Sequence, residues 1–425
     1  MALVNDDLIS DLEARGLIHD STDLDRLREQ VAAGPVGIYY GCDPTADSLH
    51  VGNLIGLVML RRFQDAGHRA IALAGGATGM VGDPGGRSEE RNLLDEATLT
   101  SNVAAIKEQL GRIVDLSDPE RGMLVDNRDW THQISILEFL RDVGKHVTVN
   151  QMLARESVKV RIESEHGISF TEFSYMLLQA NDYLWLHDNL SCSIQIGGSD
   201  QWGNIISGVD LIRRKRQTSV HAISWPLMTA SDGSKLGKTT GARVWLDREK
   251  TSPYQLRQYW MQTADTDVRA LLLTFSLRSV DEIHALVAEH DEAPHRRLGQ
   301  RALADDVVTL VHGRQAAADA AEAAQLLFAK DPTGASEAAL ATLMDEIPSS
   351  MISVGDLDEL VDVLVASGLA DSKGDARRSL DQHQYSVNGA KIDAKAQLSE
   401  QNRLHDKYLL LRKGKKSHHL LRIIS

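Results

Sequence analysis

The sequence predicts an α/β fold whose first half is a doubly wound parallel sheet. Three observations carry that prediction. Short β-rich segments alternate with helical ones up to about residue 229. From about Ser252 the pattern turns wholly helical. The last 75 residues mix short helices with a hairpin signal and read as a separate small α+β module.

Val36-Gly37-Ile38-Tyr39-Tyr40-Gly41-Cys42 is the first strand. A loop containing Pro44 follows, then an apolar helical run from about His50 to Ala66, ended by Gly67. Ala70-Ile71-Ala72-Leu73-Ala74 is the next strand, so the unit implies parallel strands joined by right-handed crossovers. Met123-Leu124-Val125, Ser193-Ile194-Gln195-Ile196 and His221-Ala222-Ile223-Ser224 are further strands. The later helical region closes on the alanine-rich stretch 316–324, an exposed helix by propensity. Asp331-Pro332-Thr333-Gly334 stops it, and 331–350 reads as a flexible connector. Beyond it, Leu357, Leu360, Val361 and Leu364 give one helical face closed by Gly368. Ser372 caps a second helix, and Tyr385 to Ile392 is a hairpin with an Asn388-Gly389 turn. The expected division is 1–229, a loop at 230–248, a helical domain at 249–330, the connector at 331–350 and the module at 351–425.

Composition narrows the function classes. Hydrophobic content of 42% and charged content of 25% are those of a globular protein. No apolar run approaches the roughly 18 residues of a membrane span. The acidic N-terminus does not read as a secretory signal. The two cysteines, Cys42 and Cys192, exclude a disulfide scaffold and a cysteine zinc site; they fit small buried hydrophobes and a cytoplasmic location. A net charge of -14 argues against indiscriminate nucleic-acid binding. Two basic runs stand out locally: Arg213-Arg214-Lys215-Arg216, and seven Lys or Arg against one acid from Gln401 to the end. Either is a solvated face or a local RNA patch.

The chemistry-bearing residues fall at the carboxyl ends of the predicted strands, where open α/β sheets bind ligands. Asp43, Thr45 and His50 follow the first strand, and the helix starting near His50 offers free N–H groups to phosphate. Gly52 permits close approach of a ribose or base, and His50 and Asn53 lie on one side of the first helical turn. Far along the chain, Lys235-Leu236-Gly237-Lys238-Thr239 puts two lysines on a glycine-rich loop, able to neutralise a triphosphate. Tyr175, Gln179 and Asp182 form a polar stripe on an otherwise apolar helix, and such a stripe needs partners or a polar pocket. Asp83 and Gln201 follow other strands and complete such a pocket. A carboxylate with amides suits an ammonium group and hydroxyls, so an amino acid is the expected ligand.

These motifs, in this order, resemble the bacterial tyrosyl-tRNA synthetases, a family of class I aminoacyl-tRNA synthetases. Residues 39–50 resemble the family's first signature, the HIGH-type motif. Lys235 to Thr239 resembles its KMSKS loop, and the C-terminal module is similar to S4 RNA-binding domains. The resemblance implies a Rossmann-like catalytic domain, a helical anticodon-binding domain and the S4-like module. It implies a tyrosine–tRNA ligase that forms tyrosyl-adenylate from tyrosine and ATP, presented with Mg2+, and then transfers tyrosine to the terminal adenosine of tRNA(Tyr). A homodimer and no structural metal are also implied. By resemblance, Tyr39 and Asp182 bind the phenol hydroxyl, while Tyr175, Asp83 and Gln179 hold the ammonium group. Asp43, Gln201 and Asp200 contact the adenylate or the ATP ribose, with Gly198 allowing close approach. Thr45 and His50 stabilise the pyrophosphate end, joined by Lys235, Lys238, Thr239, Arg87 and Arg91. Arg377, Arg378, Lys413, Lys415 and Lys416 are candidate tRNA phosphate contacts. Phe170 is either an interface residue or a core phenylalanine.

Two departures from the family pattern stand out. Asn53 replaces the last histidine of the HIGH motif, and Gly237 removes a hydroxyl from the KMSKS loop. Three alternatives compete: a tryptophanyl enzyme, a noncatalytic RNA-binding paralogue and a small-molecule nucleotidyltransferase. The Tyr39–Asp182 pair disfavours the first, intact His50 and lysines the second, and the RNA module the third.

Overall fold

The alternation of apolar strands and helices does produce a six-stranded sheet, in the order β1-β6-β5-β2-β3-β4. The strands are β1 (Asp20–Ser21), β2 (Gly37–Cys42), β3 (Arg69–Ala74), β4 (Gly122–Asp126), β5 (Cys192–Gly198) and β6 (His221–Trp225). The structure is a computed structural model describing residues 8–84, 94–163, 167–229, 231, 233, 236–237, 243–414 and 416–424. β2 to β6 pair in parallel, and only the short edge strand β1, which sequence reading missed, is antiparallel. Strands buried on both faces need helices on both sides, and the central β2 and β3 are of this kind. From β2 the chain builds β3 and β4 on one side, then crosses back to place β5 on the other. The order therefore reverses between β2 and β5, and a crevice opens there at the strands' carboxyl ends.

The helix Val51–Asp65 lies against this sheet and is buried through Leu54, Leu57, Val58 and Leu60. The helix Phe170–Leu190 packs on Trp202–Arg216, and Tyr39, Ile71, Leu177, Ala180, Tyr183 and Leu211 share one apolar core.

Two compact units result, Met1–Lys250 with Gln262–Asp306 and Thr251–Met261 with Val307–Ser425. The helical region read as one domain at 249–330 is thus divided between them. Residues 262–306 belong with the sheet for a polar reason. Buried Arg62 donates to the Ser276 carbonyl, and buried Arg15 donates to those of Leu273 (3.1 Å) and Arg278 (2.6 Å). These are carbonyls at and just beyond the end of the helix Asp265–Phe275, which has no further turn to satisfy them.

The second unit carries a five-stranded sheet, β7-β11-β10-β8-β9. Its strands are β7 (Ser349–Ser353), β8 (Tyr385–Val387), β9 (Ala390–Lys391), β10 (Tyr408–Lys413) and β11 (Ser417–Ile424). The β8–β9 turn is the one expected: Asn388 and Gly389 both have positive φ, 45° and 84°, as a tight hairpin requires. Ser372 caps the helix Lys373–Asp381, accepting from the Asp375 N–H. The expected connector at 331–350 instead holds the helix Glu337–Glu346 and the start of β7. Its Ala339, Leu340 and Leu343 pack with Ala323 and Leu326 of the alanine-rich helix and with Leu410 and Leu420 of the sheet. That core buries the helix, so the stretch is a packed element; the alanine-rich helix likewise buries Ala317, Ala320 and Ala323.

Candidate active site

The crevice at the switch point holds a cavity of about 490 Å³. Its walls bring together Tyr39, Asp43, Thr45, His50, Gly52, Asn53, Asp83, Tyr175, Gln179, Asp182, Gly198, Asp200 and Gln201. These residues come from β2, the start of the Val51–Asp65 helix, the loop after β3, the Phe170–Leu190 helix and the end of β5. Lys235, Lys238, Thr239, Arg87, Arg91 and Lys415 lie outside the described residues.

One end of the cavity is a buried polar socket. Tyr39 extends from β2 and is 2% exposed, and its Oη has no hydrogen-bond partner among the described residues. Asp182 is fixed at both oxygens, by Asn127 Nδ2 at 2.9 Å and Trp130 Nε1 at 2.8 Å. Burial raises the Asp182 carboxyl to about 7, although both hydrogen bonds pull the other way. Burial, reinforced by the charge of Asp182, likewise raises the Tyr39 phenol well above its ordinary value. Sequence reading missed Asn127 and Trp130. They follow β4 at its carboxyl end, so the rule that located Asp83 could have located them too.

Tyr175 donates to Asp43 Oδ2 at 2.7 Å, and Thr78 donates to Asp43 Oδ1 at 2.7 Å. Thr78 in turn accepts from Asn127 Nδ2 at 2.9 Å, so Asp43 and Asp182 belong to one network. A side chain at Gly75 would overlap both Asp43 and Thr78, which makes that glycine a requirement of the site. Asp83 accepts from Gln201 and from Asn204 Nδ2 at 3.4 Å. The Gln179 Oε1 is buried without a partner among the described residues. Burial, with Asp83 nearby, raises the Asp200 carboxyl.

At the other end His50 is the N-cap of the Val51–Asp65 helix. Its Nδ1 accepts from the Gly52 N–H at 3.0 Å, and Asn53 Oδ1 accepts from the His50 N–H at 3.1 Å. Asn53 thus completes a capping box. A Cβ at Gly52 would press on the His50 ring at 2.8 Å. Burial and the neighbouring Arg243 lower His50 to about 4, so it is neutral at physiological pH. With Nδ1 accepting, the proton resides on Nε2.

The glycine-rich loop is tied to this motif at its far end. The Val51 N–H donates to the Val244 carbonyl at 3.0 Å, and the Leu246 N–H to the Leu49 carbonyl at 2.8 Å. Gly237 has φ 85°, a left-handed conformation that disfavours the serine of the wider pattern. Arg243, which sequence reading did not single out, lines the cavity beside His50.

In the second unit Arg377, Arg378 and Lys416 are exposed. Lys413 is instead paired with Asp375 at 2.9 Å and lies over the Tyr385 ring. Lys407 pairs with Glu337, and Arg412 caps the Leu327 carbonyl, so much of the C-terminal basic run serves the fold itself. Phe170 is 76% exposed in the single chain, so it is not a core phenylalanine.

The chain is similar along most of its length to proteins of known function. The family model for "tRNA synthetases class I (W and Y)" matches residues 32–329, and the "Tyrosine--tRNA ligase SYY-like C-terminal domain" matches residues 339–421. The chain is 49% identical to a tyrosine–tRNA ligase of Opitutus terrae, covering 98% of this chain and 100% of that one. It is 46% identical to that of Bacillus caldotenax, covering 98% and 99%. The C-terminally truncated mitochondrial tyrosyl-tRNA synthetase of Aspergillus nidulans superposes with a TM-score of 0.69 at 33% identity, covering 76% of this chain and 94% of that one.

Proposed function

The chain belongs to the tyrosine–tRNA ligases of class I, and we propose that the cavity at its switch point is where tyrosine is joined to ATP. The activity is ATP-dependent ligation of tyrosine to tRNA. The observation that carries the site assignment is the socket at its buried end: an unpartnered Tyr39 Oη with a carboxylate held rigidly at both oxygens. A phenol hydroxyl entering there accepts from Tyr39 and donates to Asp182. Phenylalanine leaves the Tyr39 hydroxyl without a partner and brings Asp182 no donor, and tryptophan's indole presents its N–H from a different position.

The rest of the tyrosine follows from its chemistry. Its ammonium group meets Asp83, Gln179 and Tyr175. Its carboxylate attacks the α-phosphate of Mg2+-bound ATP in line, the bond to the β-phosphate's bridging oxygen breaks, and pyrophosphate leaves. No enzyme nucleophile is needed, so catalysis is positioning plus stabilisation of charge on the departing phosphates. Neutral His50 donates its Nε2–H to that charge, with Thr45 beside it and the cation of Arg243 close by. Lys235, Lys238 and Thr239 act from the glycine-rich loop, and Arg87 and Arg91 from the loop after Asp83. Asp43, Asp200, Gln201 and the side-chain-free surface at Gly52 and Gly198 receive the adenylate's ribose and base. In the second step a ribose hydroxyl of the terminal tRNA adenosine attacks the activated carbonyl and displaces AMP.

The chain works as a homodimer in the cytoplasm. The exposed apolar side chains of Ile136, Leu137, Val149, Val160 and Phe170 support a face covered by a second copy. Exposed Arg377, Arg378 and Lys416 support tRNA backbone contacts by the C-terminal unit. The test is ATP–pyrophosphate exchange with each of the twenty amino acids offered separately. Exchange with tyrosine alone is expected; exchange with tryptophan instead would overturn the pocket.

A further inference from the structure

We infer that Asn102 and Gln109 are positioning residues for adenylate formation, acting together as a two-point clamp on the loop that carries Thr45 and His50. The inference rests on the reading of that loop as the pyrophosphate end of the site. Neither residue lines the cavity, and neither is part of a recognisable motif.

Residues 43–50 run from β2 into the Val51–Asp65 helix without regular secondary structure of their own. Their backbone groups therefore need partners from elsewhere. Two come from the helix Glu96–Ile113. Asn102 Nδ2 donates to the Pro44 carbonyl at 3.1 Å, and Gln109 Oε1 accepts from the Leu49 N–H at 2.9 Å. Both amides are buried, at 5% and 4% exposure. They are seven residues apart, which is close to two helical turns, so one helix face presents both. The two grips bracket the loop: Thr45 follows one and His50 follows the other.

Gln109 also lies against Ser48. Ser48 Oγ donates to the Leu49 carbonyl at 2.7 Å, lies 3.3 Å from Gln109 Oε1 and accepts from the Asp247 N–H at 3.2 Å. The Leu49 carbonyl accepts from the Leu246 N–H at 2.8 Å. Gln109 therefore grips Leu49, the residue whose carbonyl holds the segment leaving the glycine-rich loop. One helix face thus holds the loop of residues 43–50, and through Leu49 that loop meets the segment that begins at Arg243.

The chemistry of the two grips is opposite, because the backbone group each one meets decides which end of the amide faces it. Pro44 offers a carbonyl, so Asn102 must donate. Leu49 offers an N–H, so Gln109 must accept. Changing amide to carboxylate thus has opposite consequences at two equally buried sites. Asn102→Asp sets an oxygen against the Pro44 carbonyl, whereas Gln109→Glu keeps the acceptor.

The experiment compares these variants in tyrosine-dependent ATP–pyrophosphate exchange, in mildly alkaline buffer that keeps both carboxylates ionised, with a melting curve for each. For Asn102→Asp we expect kcat to fall about 10²-fold, as a displaced loop of this kind does, with KM for tyrosine changed by less than about twofold and Gln109→Glu retaining kcat within about threefold. Asn102→Leu removes the donor without burying a charge, so it reports even where Asn102→Asp fails to fold; it too should lose kcat and keep KM for tyrosine. Equal losses in the two carboxylate variants, parental kcat in Asn102→Leu, or a loss confined to KM for tyrosine would overturn the clamp. Absence of exchange by the unaltered chain would overturn the reading of the cavity itself, and the clamp with it.

Discussion

Replacing Tyr39 by phenylalanine separates stability from function in a way the structure makes quantitative. The Tyr39 ring packs against Tyr183 with centroids 5.3 Å apart, and Phe keeps that contact. The hydroxyl is buried and without a partner among the described residues. An unsatisfied buried polar group costs about 1–3 kcal/mol, so its removal should leave the unliganded protein as stable as before or more stable by up to that amount. In a unit of this size each kcal/mol corresponds to roughly 2–4 °C in Tm. Bound tyrosine gives the hydroxyl its partner, and one neutral hydrogen bond is worth about 0.5–1.5 kcal/mol. The kcat/KM for tyrosine should therefore fall about two- to tenfold, while that for phenylalanine holds or rises. Thermal melts without ligand, and pyrophosphate exchange with tyrosine and phenylalanine, measure both sides. A Tm lowered by several degrees with an unchanged tyrosine-to-phenylalanine ratio would show that the hydroxyl is structural and the socket misassigned.

Asp182 should make stability pH-dependent in the reverse of the usual carboxylate sense. Its folded value of about 7 lies above the ordinary 3.8, so the folded state binds the extra proton and this group's contribution falls as pH rises from about 4 to about 7. Asp182→Asn should abolish that slope in unliganded denaturation curves and should cripple tyrosine activation; an unchanged slope would contradict the assignment. His50, lowered to about 4, should give no titration in the exchange rate above about pH 5, and His50→Ala should lower kcat about 10²–10³-fold, as loss of a transition-state donor does. An inflection near the ordinary imidazole value that vanishes in His50→Ala would refute the neutral-donor role. The buried pair of Arg161 and Glu172, 2.7 Å apart, supports the segment leading to Phe170. Arg161→Met should cost about 3–5 kcal/mol in denaturant titration, with most of it recovered when Glu172 is also made apolar. Equal destabilisation in the double variant would refute that account.

The central strands β2 and β3 were legible because they are buried on both faces and read as short β-rich runs bounded by glycine or proline. The edge strand β1 was not, since two residues carry no periodicity. The helix at 337–346 was hidden by the turn signal of Asp331-Pro332 before it, although its own apolar spacing is regular; only tertiary burial against Leu410 and Leu420 decides the matter. Within the site, side chains that face the cavity were legible from their strand-end positions. Their supports were less so. Asn127 and Trp130 stand where strand-end reasoning would look, just after β4, but that they fix Asp182, and that Gly75 clears space for Asp43, are relations of distance that no local pattern encodes. The basic C-terminal run shows the converse, since Lys413 and Lys407 are engaged by Asp375 and Glu337 from distant positions in the sequence.

Tyrosine transfer to RNA tests the account most directly. The full chain is incubated with ATP and labelled tyrosine, phenylalanine or tryptophan, in the presence of unfractionated bacterial tRNA, and the charged species are identified by sequencing. The account predicts charging with tyrosine only, and only on tRNA that carries a tyrosine anticodon. Charging with phenylalanine or tryptophan, or adenylate formation with no tRNA charged at all, would contradict it.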